Sequence, residues 1–450
     1  MKSVAVIGAG PIGLAAAAHL LEQGLEPIIF EAGATAGAAI EQWRHIRLFS
    51  PWRYNVDDAA ARLLESTGWE HPRPTAVPYG GELIDQYLAP LAAVPAIASR
   101  LHTGARVVAV TREGMDKTHT KNREAAPFVV RVQHSGGSTT DHVIDGVIDA
   151  SGTWSTRNPL GVSGLAALGE EATGKRVSVP LPDVKGRDRA DFAGRRVLVV
   201  GAGHSAANTL ISLTELAREE PSTRILWAVR GASAQKVYGG GDLDGLPARG
   251  QLGARLRRLV ESGAIELRTG FGIRALYDRL DGVTVEAVDG RAVEADVVVP
   301  CTGFRPDLSI LRELRLELDP AVEAPRELGP LIDPEFHSCG TVPPHGAKLL
   351  AHPERDFYIV GMKSYGRAPT FLLATGYEQV RSVAAALAGD REAADHVRLE
   401  LPETGVCSTD AGTSCDVPAP ADAAACCGAP EPALIGIPTG LAHGRSGENA

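Results

Sequence analysis

The chain has 450 residues, 44% of them hydrophobic, which is enough apolar material for the cores of two or three domains. Its net charge of −10, with 45 Lys and Arg against 55 Asp and Glu, comes without any dense basic run. This argues against nucleic acid or anionic membrane surfaces as partners and favours a small-molecule substrate.

The first apolar run begins within about three residues of Met1, and no apolar stretch approaches the roughly 18 residues of a spanning helix. The expectation is a cytoplasmic protein without a signal peptide, its six cysteines largely reduced. Val4–Ile7 reads as a strand that runs directly into Gly8-Ala9-Gly10-Pro11-Ile12-Gly13. Gly8 serves a tight turn, Gly10 leaves room for a pyrophosphate, and Gly13 lets the following helix, Pro11 to Gln23, pack closely on the strand. The dipole of the helix opened by Pro11 and Ile12 faces the phosphates. A second strand, Glu26–Phe30, ends at Glu31, where a carboxylate can accept both ribose hydroxyls. These pieces in this order predict a dinucleotide site.

The small residues Ala32–Gly37 are followed by Trp43 and by Arg47-Leu48-Phe49-Ser50-Pro51-Trp52, a loop suited to lying along a large flat ligand. The same rings equally suit a core or a surface. Apolar spacing predicts helices over about 57–66 and 82–101. Strands over Gly104–Val110 (including Val108), Pro127–Val132 and His142–Asp149 predict an antiparallel or mixed meander with a polar loop, Glu113–Ala126. The last strand closes on Ala150-Ser151-Gly152, and a similar turn, Cys301-Thr302-Gly303, comes after the strand Val297–Pro300.

Between these turns the opening motif returns as Arg196–Val200 followed by Gly201-Ala202-Gly203-His204-Ser205-Ala206. A helix to about Arg218 and a strand over Arg224–Arg230 complete it. Arg230 stands where the first copy has Glu31, and a cation there suits the extra phosphate of NADP(H), with Lys236 assisting or replacing it; a solvated strand end is the alternative. His204 reads as a capping or packing residue. Further on, Phe357–Val360 leads into Gly361-Met362-Lys363, with a helix from about Thr370 to Ala388; a glycine turn and a helix start aim amides at an electron-rich ligand edge. Beyond about residue 400 the composition predicts a flexible tail carrying four cysteines, Cys407, Cys415, Cys426 and Cys427.

Two fingerprints, an acid after the first and a base after the second, with the two Ser-Gly and Thr-Gly turns, resemble the two-dinucleotide-binding flavoproteins over about residues 1–395. Gly203-His204-Ser205-Ala206 and Cys301-Thr302-Gly303-Phe304-Arg305-Pro306-Asp307 are similar to flavin-containing monooxygenases and their bacterial relatives. The segment Met362–Phe371 and the cysteine tail look most like those associated with arsenic-resistance clusters. The resemblance implies an α/β fold of two Rossmann-like domains: FAD on 1–157 and 299–398, an inserted NADPH domain over 158–298, and a tail over 399–450. FAD contacts then fall on Gly8, Gly10, Pro11, Ile12, Gly13, Glu31, Trp43, Val108, Gly152, Gly303, Gly361 and Met362, and NADPH contacts on Gly201, Gly203, His204, Ser205 and Arg230.

The same resemblance implies hydride delivery from NADPH to FAD, then oxygenation of a small soft substrate such as a trivalent arsenical. Lys363 is the candidate to stabilise negative charge at the flavin. Ser50, or else Asn55, stands where this group places an asparagine near the flavin edge. Cys426 and Cys427 are candidates to capture a soft metal or metalloid, or are incidental thiols. The Phe-x-Gly-x-x-x-His fingerprint of class B monooxygenases has no counterpart in 176–186, and the stretches Gly37–Trp43 and Gly203–Ala206 lack the cysteine pair of disulfide reductases. A flavin reductase serving a protein or small acceptor, and a flavin-holding metalloid-binding protein, are the alternative readings.

Overall fold

The opening apolar run forms β1 (Ser3–Ile7), in which every residue after Ser3 is buried. In the computed structural model, which describes residues 1–238, 247–335, 342–369 and 371–399, β1 lies at the centre of a parallel sheet. Its neighbours are β2 (Glu26–Phe30), β3 (Leu101–His102), β7 (Gly146–Asp149) and β15 (Phe357–Ile359), in the order β15-β7-β1-β2-β3. Helix α1 (Pro11–Glu22) is alanine-rich and buried over Ile12–Leu20, because it is covered on more than one side. Gly376 lets the late helix α3 (Leu373–Ala388) approach it, since a Cβ there would lie 2.5 Å from the Ile12 side chain. The described residues belong to the unit Met1–Thr409. Cys339, Cys407, Cys415, Cys426 and Cys427 lie outside the described residues, as does Thr370.

A second parallel sheet has the order β10-β9-β8-β14, from β8 (Arg196–Val200), β9 (Arg224–Ala228), β10 (Glu266–Arg268) and β14 (Val297–Pro300), with helix α2 (His204–Glu219) joining β8 to β9. In sequence this whole sheet lies between β7 and β15. Each parallel sheet has an antiparallel three-stranded companion. One is β4 (Ala105–Arg112), β5 (Phe128–His134) and β6 (Thr139–Ile144); the other is β11 (Ile273–Arg279), β12 (Gly282–Ala287) and β13 (Ala292–Ala295).

The two halves share equivalent backbone bonds at the turn and at the start of the central strand. The Gly8 N–H donates to the Phe30 carbonyl and the Gly201 N–H to the Ala228 carbonyl, at 2.8 and 3.0 Å. Asp145 separates β6 from β7, and its carboxylate accepts the N–H of Ser3 at the start of β1 (2.7 Å); Asp296 separates β13 from β14 and accepts the N–H of Arg196 at the start of β8 (2.7 Å).

That aspartate corrects the expected strand over 142–149. The run is two strands: β6 completes the antiparallel sheet, and β7 turns past Asp145 to pair in parallel with β1 and β15. The helix expected over 82–101 is likewise broken. It passes through a π-helical turn at Ile84–Leu88, and Val94 at ψ 128° before Pro95 ends the segment Ala89–Ala93; a last turn closes at Ala98 ahead of β3.

Candidate functional site

The residues between β1 and α1 make a cradle that extra atoms would fill. Gly8 has φ +99°, and a Cβ on it would lie 2.9 Å from the Ala150 carbonyl; one on Gly13 would lie 1.9 Å from the Gly8 carbonyl. Gly10 differs: its φ of −79° suits any residue, and a Cβ there meets nothing within 4 Å. The first turn of α1 has no side-chain cap, so its amides face that open space. These features fit a dinucleotide pyrophosphate. Glu31, half-buried, holds the turn: its two carboxylate oxygens accept the N–H groups of Ala9 and Gly33, each at 2.7 Å. Each oxygen keeps a further lone pair for a hydroxyl.

The second turn repeats this arrangement. A Cβ on Gly201 (φ +131°) would lie 2.0 Å from the Cys301 carbonyl, a Cβ on Gly203 meets nothing within 4 Å, and α2 starts at His204 and half-buried Ser205 without a side-chain cap. Beyond β9, however, the register corrects the sequence reading. The Glu31 N–H donates to the His102 carbonyl, and the Glu31 carbonyl accepts from Ala105; the residue with the same bonds in the second half, to Arg268 and Phe271, is Val229. Val229 is buried, and Arg230 is exposed one position later, with no hydrogen bond or ion pair among the described residues. Lys236 lies in the helical turn Gln235–Tyr238, and its side chain is outside the described residues.

Lys363 is not a free cation. Its side chain is 1% exposed, and its ammonium donates to the Asp149 carboxylate at 2.7 Å and to Ser151 Oγ at 3.0 Å. The Gly361 amide does not point at a ligand either: it donates to Gln379 Oε1 at 2.8 Å. Ser50 is buried with its hydroxyl on Asn55 Oδ1 (2.7 Å), while the Asn55 amide returns to the Ser50 carbonyl and Tyr377 donates to the Asn55 carbonyl. The two residues weighed as substitutes for each other are thus one bonded pair. Half-buried Met362 follows Gly361 in a 3-10 turn. Val108 is exposed at the bulge where β4 slips against β5.

The crossovers after β7 and β14 run against each other: Asn158 N–H donates to Gly303 and Arg305 N–H to Thr156, at 2.9 and 3.0 Å. Gly152 and Gly303 turn with φ +69° and +83°. Here Trp154 meets Phe304 at 4.8 Å between ring centroids and Trp43 at 6.4 Å, and all three rings are half-buried. The Phe49 and His204 rings lie 4.8 Å apart between centroids, tilted by 54°, so the first fold's loop touches the start of α2 at an exposed histidine. Cys301 is the described cysteine; it is buried, with burial pushing its thiol up to about 12. Asp149, Gln379 and the Phe49 contact escape residue patterns; an acid ending an otherwise apolar strand is the signal that points to Asp149.

A family model for pyridine nucleotide-disulphide oxidoreductases matches residues 2–323, and the chain belongs to that family. A ferredoxin–NADP reductase of Paramagnetospirillum magneticum is 29% identical over 138 residues, 30% of this chain and 36% of the relative. The chain thus matches about a third of the length of the curated relatives. Among solved structures, the bacillithiol disulfide reductase Bdr of Bacillus cereus superposes with a TM-score of 0.62 at 20% identity, covering 86% of this chain and 99% of that one. A flavin monooxygenase variant of Stenotrophomonas maltophilia superposes with a TM-score of 0.55 at 23% identity, covering 86% and 99%. These likenesses show the fold. The chain is an α/β flavoprotein oxidoreductase that binds FAD and NAD(P)H. Among the described residues, no helix is long and apolar enough to cross a membrane.

Proposed function

We propose that this protein is an NADPH-dependent flavin reductase that passes electrons to an acceptor outside its own described residues. The observation that carries the reading is a difference inside the repeated fold: Glu31 in the first copy, Val229 followed by exposed Arg230 in the second. A carboxylate beside the first turn suits the ribose hydroxyls of FAD. A neutral valine followed by an arginine removes the charge that would repel a 2′-phosphate and supplies one that attracts it. We assign FAD to 1–157 and 299–398, NADPH to 158–298, and a cytoplasmic setting.

When bound, FAD supplies hydride acceptance and electron release; the chain orients the partners and excludes water. The glycine turns and helix starts hold the two pyrophosphates, and Trp43, Trp154 and Phe304 wall the junction of the two crossovers. Cys301 offers no place for the electrons, because a buried neutral thiol is a poor nucleophile and has no partner cysteine among the described residues. The ferredoxin–NADP reductases matched over part of their length are reductases of this kind. With a net charge of −10, a small or positively charged acceptor is favoured over a strongly acidic protein.

The aromatic wall supports a second reading. Half-buried rings suit a small apolar or soft substrate held beside the flavin, as monooxygenation of an amine, a thioether or a trivalent arsenical requires. In that reading Cys426 and Cys427, outside the described residues, would capture the arsenical. Turnover under isotopically labelled oxygen separates the two: a reductase leaves the label out of the organic or arsenical product, and a monooxygenase puts one labelled atom into it.

A further inference from the structure

We propose that Asp149 sets the charge Lys363 presents to FAD on the first fold, so that this buried pair tunes the flavin's reduction potential; the inference rests on FAD binding there. Asp149, at the end of β7, is 0% exposed, and Lys363 1%. Ser151 locks them together: its hydroxyl donates to Asp149 (2.6 Å) and accepts from Lys363 (3.0 Å). An ammonium has three donors, and two are used among the described residues.

The pair lies where the flavin's dinucleotide turn is clamped. Asp149 and Ser151 flank Ala150, whose carbonyl lies 2.9 Å from where a Cβ on Gly8 would sit. Lys363 follows Gly361, on which a Cβ would lie 3.1 Å from Ile12 in the first turn of α1. The ion pair therefore joins two segments that press on opposite ends of Gly8–Gly13.

The repeat shows that the fold does not need it. Ala150 and Cys301 are equivalent, each with its carbonyl against the first glycine of its turn, so Asp149 corresponds to Pro300 and Ser151 to Thr302. The second copy keeps the hydroxyl and does without the charge. A buried ion pair is often no better for stability than apolar residues of the same volume, so its presence in the flavin copy alone points to electrostatics. Asp149 acts through Lys363 and is a positioning residue.

The test uses the full-length protein, stripped of FAD and titrated with it, followed by redox titration of the loaded protein. Asp149→Asn leaves the cation uncompensated; it is expected to raise the flavin midpoint potential and tighten FAD binding by about tenfold. Lys363→Met is expected to lower the potential and weaken FAD by a similar factor, and the double variant, with no net charge change, to return near the wild-type potential. Shifts of the same sign in both single variants, or none, overturn the assignment. A wild-type protein that binds no FAD overturns both this and the reading beneath it. Independently of how those variants fold, the lysine Nζ resonances of wild-type protein can be followed by NMR, with Lys363 identified by its loss in Lys363→Arg. Its signal is expected to move when FAD binds and again on reduction; an unmoved signal overturns the proposal.

Discussion

Glu31 and Val229 occupy the same point of two copies of one fold, each donating its N–H to the last residue of a neighbouring strand and accepting from the residue that opens the next segment. The backbone is the same and the side chain opposite in character: a half-buried carboxylate bonded to two amides in one, a buried isopropyl group in the other. On the proposed assignment, this position distinguishes the FAD copy from the NADPH copy.

The choice of nicotinamide cofactor should follow from this position. Arg230→Ala is expected to reduce kcat/KM for NADPH by roughly ten- to a hundredfold, about 1.5–3 kcal/mol, while NADH changes little. Adding Val229→Glu should move the preference to NADH. Steady-state kinetics with both cofactors check it; equal effects on the two would assign Arg230 to structure.

The glycines of the first turn should separate folding from binding. Gly10→Ala, at a φ that alanine accepts and with open space around the new methyl, should leave the melting temperature of the FAD-free protein unchanged and weaken FAD. Gly13→Ala drives a methyl to 1.9 Å from the Gly8 carbonyl and should cost about 1–3 kcal/mol of stability before any ligand is added. Thermal melts of the stripped proteins, followed by FAD titration, compare them.

Much of this was legible because dinucleotide turns are local: strand, glycines and helix start fall within a dozen residues, and both copies announce themselves. What residue counting misses is hydrogen-bond register. Arg230 looks equivalent to Glu31 until the backbone bonds of Val229 to Arg268 and Phe271 place Val229 there. The single strand read over 142–149 fails for a related reason, since Asp145 is bonded to Ser3, 142 residues away. Lys363 was visible as a candidate cation, but its partner Asp149 lies 214 residues earlier, and only the fold joins them.

The thiol of Cys301 should stay protonated and unreactive. Burial lifts it to about 12 from an ordinary 9, so the folded state favours the neutral form. That contribution is complete below about pH 9 and is lost as pH rises toward about 12, because the unfolded chain ionises first. Native protein should resist iodoacetamide at Cys301 at pH 8, and Cys301→Ser should lessen the fall in urea stability between pH 8 and 10.5. Rapid alkylation of native Cys301 would show that the junction opens.

The most direct test of the account is anaerobic titration of the purified, FAD-loaded protein with NADPH, followed by addition of an artificial one-electron acceptor. The account predicts that one equivalent of NADPH bleaches the flavin completely, that NADH does so much more slowly, and that the acceptor restores the oxidised spectrum without oxygen. A protein that takes up FAD but is not bleached by NADPH would contradict it.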